Sequence, residues 1–501
     1  MCYNVFKFTY GERKTMLELL APAGSMEALR AAVQNGANAV YLGCGMFNAR
    51  QSAKNFTAQA LEEAVKYCHI RGVAVHLTLN TLVSDKELQE LVGLIRHAAE
   101  SGVDAFIVQD IGMVPVLQKH FPDAELHVST QASCVNREAV KMYRSMGFKR
   151  VVLGREVTLK EIREIKDAVP DVELEAFAHG AMCIAYAGRC LMSAYLTARS
   201  AQAGACSHTC RWDFDVLADP LKAKQIAETG ALVLEEKKRP GEYFPIYEGD
   251  DFTAVLSSRD LRMVEHLDDM VKAGVDSIKI EGRMKSVYYV ALVTRAYRKA
   301  LDALDGKITA AEAKPFIDEL ENVSHRESGT GFYYNPAEAN VTCSGATDSR
   351  YILAAEIGKK LDDDERAQVL KLGKEHAELV QKELDEMHPA ARAARLKEYS
   401  QHPDRNPPSA EDKTEWNMYE VKPLNMIKAG DAIEFVSPDV VSTKVKPEEW
   451  QLVDPENGTL KEWVCDGHNS VIYTKTPLQE GTLIRIEDPE YEEGKIRDSG
   501  R

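Results

Sequence analysis

Several features are missing from this sequence, and each absence excludes something. No apolar run approaches the roughly 18–20 residues that span a bilayer, so no membrane association is expected. The opening residues, MCYNVFKFTYGERKT, carry neither a long apolar stretch nor a small-residue cleavage site, which predicts a cytoplasmic location. Positive charge is in deficit: 62 Lys and Arg stand against 78 Asp and Glu, a net charge of −16. That excludes a protein that coats nucleic acid non-specifically, although a local basic surface for one structured RNA stays open. Familiar catalytic fingerprints are absent as well. There is no H-E-x-x-H for a metalloprotease, no G-x-S-x-G for a serine hydrolase and no G-x-G-x-x-G after the first strand for a dinucleotide.

What is present begins with size. The chain has 501 residues, 45% of them hydrophobic, enough for two domains or more. Over the first 285 residues, short apolar runs ending in polar residues alternate with amphipathic stretches. The runs are LELLAPAG, AVYLGCG, VAVHLTLNT, AFIVQD, ELHVSTQ, RVVLGRE, ELEAFAHG and SIKIEGRMK. Between them lie helical patterns such as SMEALRAAVQNGA and DKELQELVGLIRHAAESGV, the latter stopped at Gly102. Eight βα repeats are the number that closes a (β/α)8 TIM-type barrel, and the catalytic groups of such a barrel sit where its strands end. Gln109, Asp110, Gln131, Arg155, Glu156, His179, Glu281, Arg283 and Lys285 become candidates together.

The domain plan follows. Residues 1–15 form an N-terminal extension and 16–300 the barrel, with an insertion at 181–272 after strand seven. That insertion separates the last two strands by roughly ninety residues, where a few loop residues and one helix suffice. Residues 301–350 read as a helix-and-loop connector that includes His325 and Arg326, candidates for the barrel mouth or an RNA phosphate. Residues 351–501 show period-two alternation and predict a small antiparallel β domain, interrupted by a charge-rich helical insertion at about 357–415.

The insertion opens on Cys183, Cys190, Cys206 and Cys210, spaced C-x6-C-x15-C-x3-C. In a reducing compartment, clustered cysteines read as metal ligands or redox groups before disulfides. Only the second pair has the short gap of a zinc finger, whereas four thiolates are what a [4Fe–4S] cluster takes. A radical-SAM triad fails because Asp213 stands where a third cysteine would be needed. Iron–sulfur, zinc and structural thiols all stay open on chemistry alone. The other six cysteines read as small buried apolar side chains.

The segment EAFAHGAMCIAYAGRCLMS, from Glu175 to Ser193, resembles the signature of the peptidase U32 (collagenase-like) family. LLAPAGSMEAL, STQAS, LGRE, KIEGRMKS, SHRESGTGF and MIKAGDAIEFVSP resemble its other blocks. The resemblance implies a barrel that carries a [4Fe–4S] cluster on Cys183, Cys190, Cys206 and Cys210, while thiol chemistry keeps zinc as the second choice. In motif style the chain is similar to the branch of tRNA uridine hydroxylation proteins. That likeness implies 5-hydroxylation of a wobble uridine with prephenate as co-substrate, and a tRNA partner. Related branches hydroxylate a ribosomal RNA cytidine or assist ubiquinone hydroxylation. A proteolytic role, or a non-catalytic iron–sulfur scaffold paired with another family member, are the alternatives.

On that reading Arg155, Arg283 and Lys285 clamp a carboxylate, since guanidinium groups bind carboxylates through paired hydrogen bonds. Glu156, Glu281 and His179 are the catalytic candidates for proton transfer. Gln131 and Asn136 are placed to read a pyrimidine edge.

Overall fold

The computed structural model describes residues 17–212, 214–217, 233–236, 243–245, 248–249, 252–253, 258–335, 349–401 and 408–491. The expected N-terminal extension and much of the 181–272 insertion therefore lie outside the described residues. The chain divides into two units. The first is built from residues up to Ile317 together with His325–Thr347, and the second from Asp318–Ser324 and Asp348–Lys495.

The first unit is the expected barrel. Its parallel strands are β1 (Glu18–Pro22), β2 (Ala39–Leu42), β3 (Ala74–Leu79), β4 (Ala105–Val108), β5 (Glu125–Val128), β6 (Arg150–Val152), β7 (Glu173–Ala181) and β8 (Ser277–Ile280). β8 pairs with both β1 and β7, which closes the ring. Helices α1 (Met26–Gln34), α2 (Ala58–Ile70), α3 (Leu88–Ser101), α4 (Met113–His120), α5 (Arg137–Ser145) and α6 (Leu159–Ala168) follow the first six strands. α7 (Leu267–Ala273) and α8 (Val287–Leu304) complete the set.

Local chemistry sets the helix ends. The Ser25, Thr57 and Ser286 hydroxyls accept from backbone N–H groups of the first turns of α1, α2 and α8, and Thr158 with Glu161 makes a reciprocal capping box on α6. α3 stops at Gly102, in the left-handed region at φ 89°.

The barrel interior is unusually charged at its lower end. Arg150 and Lys279 both reach Glu175, at 3.2 and 2.9 Å, and Arg150 also meets Glu18. Leu20, Ala39, Tyr41 and Ile107 form a buried apolar cluster next to Lys279, whose ammonium lies 4.2 Å from the Tyr41 ring centre. Barrels are more often filled by branched aliphatics. Here the buried charges persist because each is matched by opposite charge and hydrogen bonds.

One irregularity bears on the site. β7 pairs with β8 as Phe177 to Lys279 and then His179 to Ile280, so Ala178 is the extra residue of a bulge. The inward alternation of Glu175 and Phe177 is broken there, and His179 turns its ring onto Tyr289 and Tyr297 of α8. The returning insertion adds a short strand, Asp260–Arg262, antiparallel to β7.

The second unit is built on a seven-stranded antiparallel sheet, together with a two-stranded ribbon of Ile427–Lys428 and Trp463–Val464. The strands of the sheet are β9 (Tyr351–Lys360), β10 (Asn417–Pro423), β11 (Ile433–Val436), β12 (Thr443–Val445), β13 (Trp450–Val453), β14 (Ser470–Thr474) and β15 (Leu483–Glu487). Their spatial order is β12-β11-β15-β9-β10-β14-β13. Helices α9 (Asp363–Glu386) and α10 (Pro389–Gln401) interrupt the chain between β9 and β10. Val369 and Leu370 of α9 pack with Met418, Val471 and Tyr473 of the sheet. Arg485 is fully buried between Glu319 and Glu434, with its guanidinium 3.8 Å from the Tyr351 ring centre.

Candidate active site at the barrel mouth

The strand ends gather guanidinium groups around one carboxylate. Glu281, just beyond β8, receives Arg155 from the end of β6 at 2.9 Å and Arg50 from the loop after β2 at 3.2 Å. Burial pushes the Glu281 pKa up, but the two guanidiniums outweigh it and hold the group at about 2. Arg155 also donates to the Ala181 carbonyl and stacks 3.9 Å from the Phe177 ring centre. Two hydrogen-bonded contacts and a ring face leave it one orientation.

Arg283 is only 4% exposed and has no carboxylate in contact. Its guanidinium donates to the Thr78 hydroxyl at 3.1 Å and to the side-chain oxygens of Asn48 and Asn55. Its Nε is buried with no partner. Burial pulls its pKa down to about 10, still cationic at neutral pH. Gly43 makes room for it, since a Cβ there would overlap the guanidinium. Glu281 thus contacts Arg50 and Arg155 but not Arg283, and these three guanidiniums against one carboxylate leave a surplus of positive charge.

Above this group runs a strap, residues 182–212, which carries the four cysteines. It touches down on the rim twice. The Ala187 carbonyl accepts from Ser133 at 2.6 Å, and a Cβ on Gly188 would overlap the Gln131 carbonyl oxygen. Further on, Gln51 donates to the Ala203 carbonyl, and a Cβ on Gly204 would overlap the Asn48 carbonyl oxygen. Both glycines have positive φ, 77° and 85°, so shape and backbone angle both require them. Each stands two residues ahead of a cysteine.

None of the four cysteines is in a disulfide: Cys183 is exposed, and Cys190, Cys206 and Cys210 are half-buried. The backbone N–H of His208 points at the Cys206 sulfur, 3.4 Å away. Among the described residues, no three His, Cys, Asp or Glu side chains are gathered to hold a metal ion. The thiols lie on one strap, but as placed they do not form the ligand set that the resemblance implies.

A family model described as peptidase family U32 matches residues 24–342. The chain belongs to that family. Relatives within it carry different names. "tRNA hydroxylation protein P" of Escherichia coli is 36% identical over 340 residues, covering 63% of this chain and 74% of the relative. "23S rRNA 5-hydroxycytidine C2501 synthase" of Escherichia coli is 35% identical over 370 residues, 72% of this chain and 50% of the relative. "Collagenase" of Porphyromonas gingivalis is 32% identical over 328 residues, 63% of this chain and 73% of the relative.

The U32 barrel brings some of the expected residues together and separates others. Arg155, Glu281 and Arg283 meet at the mouth. Glu156, next to Arg155, has a pKa raised by burial, and its Oε2 is buried without a partner. Lys285 lies beside the Tyr289 ring. Asn136 instead caps α5, its side chain accepting from Ala139 N at 3.0 Å. Gln131 lends its backbone carbonyl to the strap contact at Gly188. His179 is buried among tyrosines, its Nδ1 3.3 Å from the Tyr297 hydroxyl, and burial drives its pKa down to about 3. Arg326 is turned inward to Asp260 at 2.7 Å. Cys44, Cys68 and Cys134 are buried, as expected of small apolar side chains, and Cys465 is half-buried. Cys2 and Cys343 lie outside the described residues.

Arg50, Asn48 and Asn55 were not among the candidates. They sit in MFNARQSAKN, several residues beyond the end of β2, so a reading that stops at each strand's last polar residue passes over them.

Among the described residues, no helix is long and apolar enough to cross a membrane.

Proposed function

We propose that this chain hydroxylates a base of tRNA, at C5 of a wobble uridine, with a small organic acid such as prephenate as oxygen donor. The observation that carries the reading is the Arg50, Arg155 and Arg283 group at the mouth of a barrel whose relatives include proteins named for tRNA hydroxylation. A surplus of guanidiniums suits an anionic co-substrate, and Arg50 and Arg155 are the two with a fixed orientation towards the mouth. Glu281 stays ionised at any pH of interest, so its part is to orient them. Glu156, whose carboxyl holds its proton more tightly than usual, is the residue suited to moving a proton. His179, neutral and enclosed by Tyr289 and Tyr297, supports the wall of the site.

A [4Fe–4S] cluster on Cys183, Cys190, Cys206 and Cys210, with zinc as second choice, belongs to the proposal on donor chemistry: four thiols on one strap. Loading requires the strap to draw them together, and no step is derived through the cluster. Iron and sulfide content of protein prepared without oxygen tests it, four thiol-to-serine changes abolishing both.

The test of function is nucleoside analysis of tRNA from a strain lacking the chain. 5-Hydroxyuridine derivatives should disappear, return with the wild-type chain and stay absent with Arg155→Gln. Unchanged derivatives overturn the proposal. Peptide cleavage that survives loss of the four thiols would support proteolysis instead.

A further inference from the structure

A second feature of the mouth lies to one side of the Glu281 group. A cavity of about 230 Å³ opens between the loop after β2 and the strap, lined by Arg50, Ser52, Arg199, Cys206, Ser207 and His208 among others. No Asp or Glu lines it. The charge pattern of the strap agrees: from Ala181 to Trp212 there is no acidic residue, in a chain where acids outnumber bases 78 to 62. The same stretch carries Arg189, Arg199 and Arg211. Arg199 is exposed, and its guanidinium has no carboxylate partner among the described residues. Tyr195, on the short strap helix Met192–Thr197, is 87% exposed.

A cavity lined by Arg199, which has no acid partner among the described residues, by Arg50, whose charge is shared with Glu281 outside the lining, and by two hydroxyl side chains recognises an oxyanion. Its volume falls below the roughly 300–1,000 Å³ of pockets that enclose whole small molecules, so it takes one charged group of a larger ligand. We infer that this cavity binds a backbone phosphate of the RNA, beside the nucleotide presented to the mouth. The inference rests on the RNA reading above and deepens it. It also reconciles RNA binding with a net charge of −16, because the acids are excluded from this one strap. The exposed Tyr195 offers a face on which a neighbouring base can stack.

The experiment measures binding of unfractionated tRNA to the full chain across a range of salt. Arg199→Gln, on an exposed position, should leave the melting temperature unchanged and weaken binding roughly tenfold. It should also lower the slope of log affinity against log salt by about 0.7 to 0.9, the loss of one phosphate contact. Arg199→Lys should keep the slope. Ser52→Glu, which places a carboxylate in the cavity, should weaken binding as well. If the Gln and Glu variants bind tRNA with wild-type affinity and slope, the site is wrong. If Arg199→Gln instead raises only the KM for the small organic acid, the cavity is a carboxylate site and the phosphate assignment falls. Failure of the wild-type chain to bind tRNA at all would remove the functional proposal together with this one.

Discussion

Glu281 organises the mouth through charge. Its two guanidinium partners come from loops far apart in the chain, and the carboxylate is what lets Arg50 and Arg155 lie side by side. Glu281→Gln should therefore lower unfolding stability by about 3 kcal/mol, because two partly buried cations lose their counter-charge. Urea unfolding measures this directly. Arg485 in the second unit is a similar case with a structural outcome. Replacing it by Met takes the Arg485 counter-charge from buried Glu319 and leaves Glu434 only the exposed Lys444, 3.6 Å away, at a cost of about 3–5 kcal/mol to that unit. A smaller loss, under about 1 kcal/mol, would mean the two carboxylates find water.

Among the elements, the strap is the one whose sequence and shape constrain each other most tightly. Its glycines dock on carbonyls of the barrel rim at positive φ, a combination a larger residue meets only with strain of about 1–3 kcal/mol. Gly188→Ala and Gly204→Ala should each loosen the strap without unfolding the barrel. Limited proteolysis between residues 183 and 212 should then quicken roughly tenfold, with the melting temperature little changed. Equal protection in the variants would show that the docking contacts do not hold the strap. The strands were legible from the sequence at this scale. Each of the eight apolar runs became a barrel strand, because a buried parallel strand needs a short continuous apolar stretch and the helices between supply the crossovers. The bulge at Ala178 was not legible. It depends on how two strands about a hundred residues apart fall into register, and it decides which way His179 points.

For the molecule as a whole, buried neutral histidines set part of the acid response. His76 and His179 both have pKa values pushed by burial to about 3, whereas an unfolded histidine titrates near 6.5. Between those values the unfolded chain binds more protons, so stability is full above about pH 6.5 and falls as the pH drops towards 3. Glu18 and Glu281, held at about 2, extend the loss below about pH 4.5. Thermal melting against pH should show this decline, and His179→Phe should flatten it by about one proton between pH 6 and 4. An identical slope in that variant would mean His179 is protonated in the folded protein.

The sequence by itself determined the closed barrel, the place of the cysteine-bearing insertion beyond strand seven and the antiparallel character of the C-terminal unit. These follow from patterns a few residues long that local backbone preference and burial enforce wherever they occur. Only the tertiary structure decided that Arg50 shares Glu281 with Arg155 and that Arg283 is sealed among neutral oxygens. Those outcomes depend on ring closure and strand register, which bring together side chains more than a hundred residues apart, and no local pattern encodes such a distance.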